Sequence, residues 1–409
     1  MWTIKNVEYP KIDILFFERP VADLKKFAFK IAYEIKLKRE NITLGAVCIE
    51  IPDGDDSIEY FFHWNDVKKN IDLFLKRCNV KLIVFSNWRI PDIEFIQHAK
   101  VLNIKTILIQ EGLIYDGISI NSVNIENIIK SFVLFFNKSI SYIDTMRRMC
   151  QYEKKSSIKL FSLIISKKKN ITCILSDYFN NRLIADYVLI VGEYWREYYH
   201  NQIGYPLNRI ILVGDHDLDD FKTLNKGEEA ICYIASVLVE DGTIDRTEFL
   251  KFIRILSKCV NSNTKLYIKL HPRSDITLYG ELRHNNVEFI DIPGYLPSVN
   301  LYIAHRGSLI GKALYESDNL VIWKFSSESH CFYERFATSV CEDFDELQKS
   351  IKSIDLKKRT NKKRMDISNV YWQNPNGAIR TITNIACSYM VKGKIDFKEE
   401  KDEGISYKS

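Results

Sequence analysis

The sequence predicts an α/β protein made of two Rossmann-like domains that face each other across a cleft. Short apolar, β-prone runs alternate with segments of helical periodicity, the pattern of parallel sheets covered by helices. At 409 residues the chain exceeds one ordinary core, since domains average roughly 150 residues. The alternation also occurs twice, separated by a longer basic stretch that lacks strand patterning.

In the first half, KIDILFF (11–17), LGAVCIEI (44–51), KLIVFS (81–86) and KTILIQ (105–110) read as strands. Helices are expected over 23–38, 67–78 and 93–103, where apolar residues recur at three- and four-residue spacing. This describes a Rossmann-like half of about four parallel strands. Residues from about 120 to 185 read as a helical insertion. In the second half strands are expected at 186–192, 209–214, 229–236, 265–270, 287–292 and 300–305, with helices at 246–260 and 308–317. Late helices follow at 343–354 and 376–390. The expected domains are therefore 1–185, carrying the insertion and the acceptor, and 186–390, carrying the nucleotide. Residues 391–409, charged and nearly free of aromatics, read as a disordered tail.

Composition excludes several classes. The net charge of +5 comes from 58 basic residues against 53 acidic ones, and the basic residues are dispersed. No aromatic–basic recognition motif accompanies them, so nucleic acid is not expected as a partner. Nine cysteines stand singly, without CxxC or CxxH, which argues against a zinc ribbon and for reduced thiols in the cytoplasm. No run of 18 apolar residues occurs, so no transmembrane helix is expected, and charges interrupt the N-terminal apolar stretch as they would not in a signal peptide. The basic, apolar-striped segment 155–169 suggests peripheral contact with an anionic inner-membrane surface.

Two features of the second half seek an anion. In LYIKLHPRSD (266–275) a strand stops at His271-Pro272-Arg273; Pro272 pushes His271 into an extended conformation just past the strand's C-terminal end. In AHRGSLIGKALYES (304–317) a strand runs through His305 and Arg306 into Gly307-Ser308 and a helix. Ser308 is a plausible N-cap, the helix start offers N–H donors, and Gly307 permits close approach to a phosphate. GSLIGKA is not a Walker loop, because its glycines are too close and Lys312 precedes alanine.

The paired motifs resemble those of bacterial glycosyltransferases of the GT-B fold that build capsule and lipopolysaccharide, including sialyltransferases, polysialyltransferases and Kdo transferases. In those families an HP motif and a later Ser/Thr motif engage the phosphate of a CMP-activated sugar; His271-Pro272 matches the first and Ser308 the second. The resemblance implies a CMP-linked donor substrate and no cofactor, and a monophosphate leaving group held by such donors needs no bound metal. Read from the residues, Arg273 assists at the phosphate, Gly214 lies near the donor, and His305 and Arg306 are either accessory charges there or surface residues. It also implies an acidic D/E-D/E-G motif whose second acid is the general base. In TILIQEG (106–112), Glu111 stands at that place before Gly112, and Gln110 replaces the first acid. Glu240-Asp241-Gly242 fits the three letters better but falls in the donor half, as a turn that lines the nucleotide. Asp215-His216-Asp217 looks like the metal-binding DxD of the other glycosyltransferase fold, which does not have two tandem sheets. The expected product is a bacterial surface glycan, grown on a glycan or lipid-linked acceptor. Competing readings are a CDP-glycerol-type polyol-phosphate transferase and a non-catalytic two-lobed binder of nucleotides or anionic sugars.

Overall fold

The computed structural model describes residues 9–18, 24–52, 57–86, 88–110, 141–166, 171–179, 183–219, 221–225, 229–260, 264–282, 286–292, 295–325, 331–357 and 364–393. The first sheet has seven strands: β1 (Ile14–Phe17), β2 (Leu44–Cys48), β3 (Tyr60–His63), β4 (Leu82–Phe85), β5 (Lys105–Ile109), β6 (Tyr187–Ile190) and β7 (Ile210–Leu212). Their order is β3-β2-β1-β4-β5-β6-β7, all parallel. The central strands are buried on both faces, which is why ILFF and LIVF show no polar alternation.

Helices α1 (Phe29–Lys38), α2 (Ile71–Arg77) and α3 (Ile90–Val101) cover this sheet. Helix α3 is buried almost all round, Asp92, Glu94 and Gln97 included. The insertion explains this: helical residues 141–152, α4 (Ser157–Ser166) and α5 (Ile171–Tyr178) form a small apolar core with Ile90 and Ile93. Arg148 clasps Glu94 with two nitrogens, at 2.7 and 2.8 Å. Burial raises the Glu94 pKa, and the guanidinium opposes that rise.

After β8 (Lys222–Asn225), the second sheet contains β9 (Ala230–Ile234), β10 (Lys265–Lys269), β11 (Val287–Ile290), β13 (Leu301–Ala304), β14 (Leu320–Trp323) and β15 (Ser339–Cys341). Its order is β11-β10-β9-β13-β14-β15, again parallel throughout. The short β12 (Tyr295–Ser298) pairs with β8 outside it. The flanking helices are α6 (Arg246–Cys259), α7 (Leu309–Glu316), α8 (Phe344–Ser353), α9 (Arg364–Val370) and α10 (Ala378–Lys392).

Two placements differ from the sequence reading. The strands expected at 186–192 and 209–214 do not open the second sheet; β6 pairs with β5 (Ile107 opposite Tyr187) and β7 with β6, extending the first. A buried parallel strand carries the same apolar pattern in either sheet, so sequence cannot assign it. The helix expected at 376–390 is α10, and it packs on α1 with Ile379, Ile382 and Ile385 in the first sheet's core. The chain therefore crosses between the sheets twice, outward after β7 and back before α10.

Candidate active site

Both sheets carry the Rossmann strand order, so each has a point where successive strands depart in opposite directions, and ligands bind at the C-terminal ends there. In the second sheet that point lies between β9 and β13, with β10 on the other side of β9. Three strand ends therefore meet: Ser236 after β9, His271 after β10 and the 305–308 turn after β13.

The His271 turn is held by three bonds. The Arg273 N–H donates to His271 Nδ1 at 3.1 Å, the His271 N–H to Ser274 Oγ at 3.1 Å, and the Ser274 N–H to the His271 carbonyl at 2.9 Å. Because Nδ1 accepts, the neutral ring carries its proton on Nε2, which is then a donor. Burial, followed by the Arg273 charge, lowers the His271 pKa, while Asp241 and Glu240 partly oppose this. A neutral donor is thus the state at neutral pH.

Glu240 and Asp241 brace this turn. Asp241 receives both terminal nitrogens of Arg273, at 2.7 and 3.2 Å, and Glu240 Oε1 accepts the Asp275 N–H at 2.7 Å. The Glu240-Asp241-Gly242 turn shapes the HP turn, and Arg273 faces a carboxylate.

At β13, Gly307 has φ +135°, and a Cβ there would meet nothing within 4 Å. The conformation calls for glycine, and the space beside it is open. Ser308 occupies the N-cap position of α7 but has helical backbone angles, and its side chain caps nothing. Its hydroxyl, and the N–H groups of Ser308 and Leu309, have no protein acceptor among the described residues. Arg306 is anchored by Nη2 to Thr243 Oγ1 at 2.8 Å, and its carbonyl accepts the Ser236 hydroxyl at 2.6 Å. Together the strand ends offer an imidazole N–H, a hydroxyl and the positive end of a helix, donors suited to a phosphate.

Other expected residues lie elsewhere. His305 is a core histidine: Nδ1 lies 3.0 Å from the Trp323 carbonyl and Nε2 2.8 Å from the Tyr233 hydroxyl, and the ring stacks on Phe325. Burial pulls its pKa down to about 3, so it brings no charge to a phosphate. Gly214, with φ +91°, lies at the end of β7, where a Cβ would collide with the Trp372 carbonyl and Asn374. Its need for glycine comes from the returning chain. Asp215 and His216 are buried at the same crossing, and the half-buried Asp217 is closed by Lys312, whose Nζ is 3.3 Å from Asp217 Oδ2; no metal-ligating cluster occurs among the described residues. Gln110 is buried at the end of β5, where its N–H donates to the Leu189 carbonyl and its Oε1 accepts the Val191 N–H at 3.2 Å. It joins β5 to β6, a task an amide does without burying a charge. Glu111 and Gly112 lie outside the described residues.

Ser236, Thr243 and Lys312 were not expected at these places. The first two carry no motif; Lys312 stands four residues after Ser308, one helical turn on. A surface cavity of ≈ 1030 Å³ lies between α1, residues 218–219 and 373–380, and none of the donor residues of the second sheet line it.

The model of the alpha-2,8-polysialyltransferase family matches residues 56–292, more than half of the chain. The chain belongs to that family. The matched region takes in the β10 end with His271 and stops before Ser308. No curated protein matches the sequence. Solved structures match over nearly the whole chain at low identity. The wall teichoic acid polymerase TagF has a TM-score of 0.56 at 10% identity, over 94% of this chain and 91% of that one. A glycosyltransferase from Rickettsia africae gives 0.52 at 13%, over 94% and 100%. UGT71G1 from Medicago truncatula gives 0.51 at 10%, over 93% and 98%. This polysialyltransferase-family chain has the GT-B fold and is a sugar-transferring glycosyltransferase.

Proposed function

We propose that the enzyme transfers a nonulosonic or ulosonic acid, sialic-acid-like or Kdo, from its CMP-activated form onto a growing bacterial surface glycan. The observation that carries this reading is the convergence of His271 Nε2–H, the Ser308 hydroxyl and the α7 N-terminus at the switch point of the second sheet. A CMP leaving group exposes one phosphate, and these neutral and dipolar donors stabilise the charge that develops on it as the glycosidic bond breaks. Arg306, which precedes Gly307, has its guanidinium fixed on Thr243. Glu111, next in sequence after the anchored Gln110, serves as general base for the acceptor hydroxyl.

Calorimetric titration of CMP, CDP and UDP into the wild type and His271→Ala tests the donor assignment. Selective CMP binding that weakens in the variant is the expected result. Preference for CDP would instead indicate a polyol-phosphate transferase, and preference for UDP a different nucleotide sugar.

Among the described residues no helix is long and apolar enough to cross a membrane. We place the enzyme on the cytoplasmic face of the inner membrane through α4, where Ile158 is 82% and Ile165 86% exposed, two turns apart on one side. Lys154 and Lys159 are exposed nearby, which suits an anionic lipid surface. Lys167, Lys168 and Lys169 follow in sequence, outside the described residues. Sedimentation with phosphatidylglycerol vesicles should fall for Ile158→Ser/Ile165→Ser; unchanged sedimentation would refute the contact.

A further inference from the structure

Both passages between the sheets close on α7, the helix that starts at the proposed phosphate site. From the outgoing side, Asp217 meets Lys312 at 3.3 Å, and the same ammonium lies 5.7 Å from the Phe221 ring centroid. From the returning side, Tyr371 lies so close to Gly311 that a Cβ there would come within 2.5 Å of the ring. The Tyr315 hydroxyl donates to the Tyr371 carbonyl, and the Tyr333 and Tyr371 hydroxyls pair at 2.7 Å. One end of α7 thus faces the strand-end cleft, and its flank is gripped by both connections.

The outgoing contact lies in a cluster of charges of which Asp215 and His216 are buried and Asp217 half-buried. His216 is 2% exposed, with Nδ1 4.0 Å from Asp215 Oδ1 and Nε2 3.7 Å from Asp217 Oδ1, and neither ring nitrogen has a hydrogen-bond partner. Burial, and next the Asp217 charge, raise the Asp215 pKa, as expected for two acids sharing a site. Lys312, its side chain 12% exposed, brings the neutralising charge from another element. Asp217 is half-buried, its side chain 21% exposed, so the pair is screened less than a surface pair and constrains α7 more than one would.

We propose that Lys312 is a positioning residue of the donor site, pairing with Asp217 to fix α7 against the outgoing passage so that the Ser308 end holds its donors at the cleft. Lys312 is one turn into the helix, and its ammonium is turned to Asp217 and Phe221, so it acts through the helix. The effect on the donor rests on the reading of Ser308 given above.

The test compares Lys312→Met, Asp217→Asn, their double variant and Lys312→Arg. It reads hydrogen exchange of the 308–314 amides without ligand, the CMP dissociation constant and the unfolding midpoint. Each single variant should speed that exchange and weaken CMP binding about tenfold, with the double no worse than the worse single. Lys312→Arg should restore both. Asp217→Asn is nearly isosteric and keeps the test open if Lys312→Met does not fold. Wild-type CMP binding with unchanged exchange and affinity in both single variants would overturn the positioning role alone. Weakening by Lys312→Met without Asp217→Asn would also overturn it, in favour of direct contact with the donor. Absence of CMP binding by the wild type would overturn the donor reading and the proposal with it.

Discussion

The two sheets begin with the same order of strands and use their switch points differently. At the end of β1 in the first, the buried Glu18 accepts the Ser86 N–H from the end of β4, and Gln110 ties β5 to β6. At the corresponding point of the second, Gly307 borders open space and the Ser308 hydroxyl has no partner among the described residues. Equivalent topology thus supplies two crevices. Polar side chains fasten strand ends at both, Glu18 and Gln110 in the first and Ser236 in the second, but among the described residues the Ser308 hydroxyl has no protein partner, which suits the donor site proposed above.

The sharpest way to break this comparison is Glu111→Gln. Removing the general base proposed above should lower turnover on the order of 10²–10⁴-fold while CMP affinity is kept. Loss of both would place Glu111 in the donor site. Next, His271→Ala should weaken CMP by roughly 10–100-fold, the range for a hydrogen bond to a charged group. An unchanged dissociation constant would remove β10 from the site.

Glu18→Ala should act on the fold instead. Removing an acceptor of the buried Ser86 N–H should cost about 1–3 kcal/mol in urea unfolding, with CMP affinity unaltered. Weakened CMP binding would show that the two crevices are not separate in function.

The last test, read as a slope, concerns the two strand-end histidines of the second sheet and pH. His305 has its pKa lowered from 6.5 to about 3, so between these values the unfolded chain binds the extra proton. Its contribution to stability is full above pH 6.5 and falls as pH drops through that window, by about 1.4 kcal/mol per unit. Stability curves of the wild type and His305→Gln should diverge in slope there; parallel curves would contradict a neutral core role.

Much of the fold is legible in the sequence. KIDILFF, LYIKL and NLYIA announce strands because parallel strands are apolar on both faces, and Pro272 and Gly307 mark strand ends through their backbone restrictions. The motif pair His271 and Ser308 stood out because it recurs at ends of strands, where open sheets bind ligands. Strands such as β3 and β15 were missed because YFFH and SVC are too short to establish a period.

The sequence by itself determined the longer elements, their parallel α/β arrangement and the kind of group placed at the ends of β10 and β13. Tertiary structure decided which sheet each element joins, because β6, β7 and α10 have apolar patterns that either core would satisfy. It also decided what neighbouring histidines do. His271 and His305 both end strands, but only the second lies under Trp323 and Phe325, where burial removes its charge. A residue's chemistry follows from its surroundings, and those surroundings come from chain segments far away in sequence.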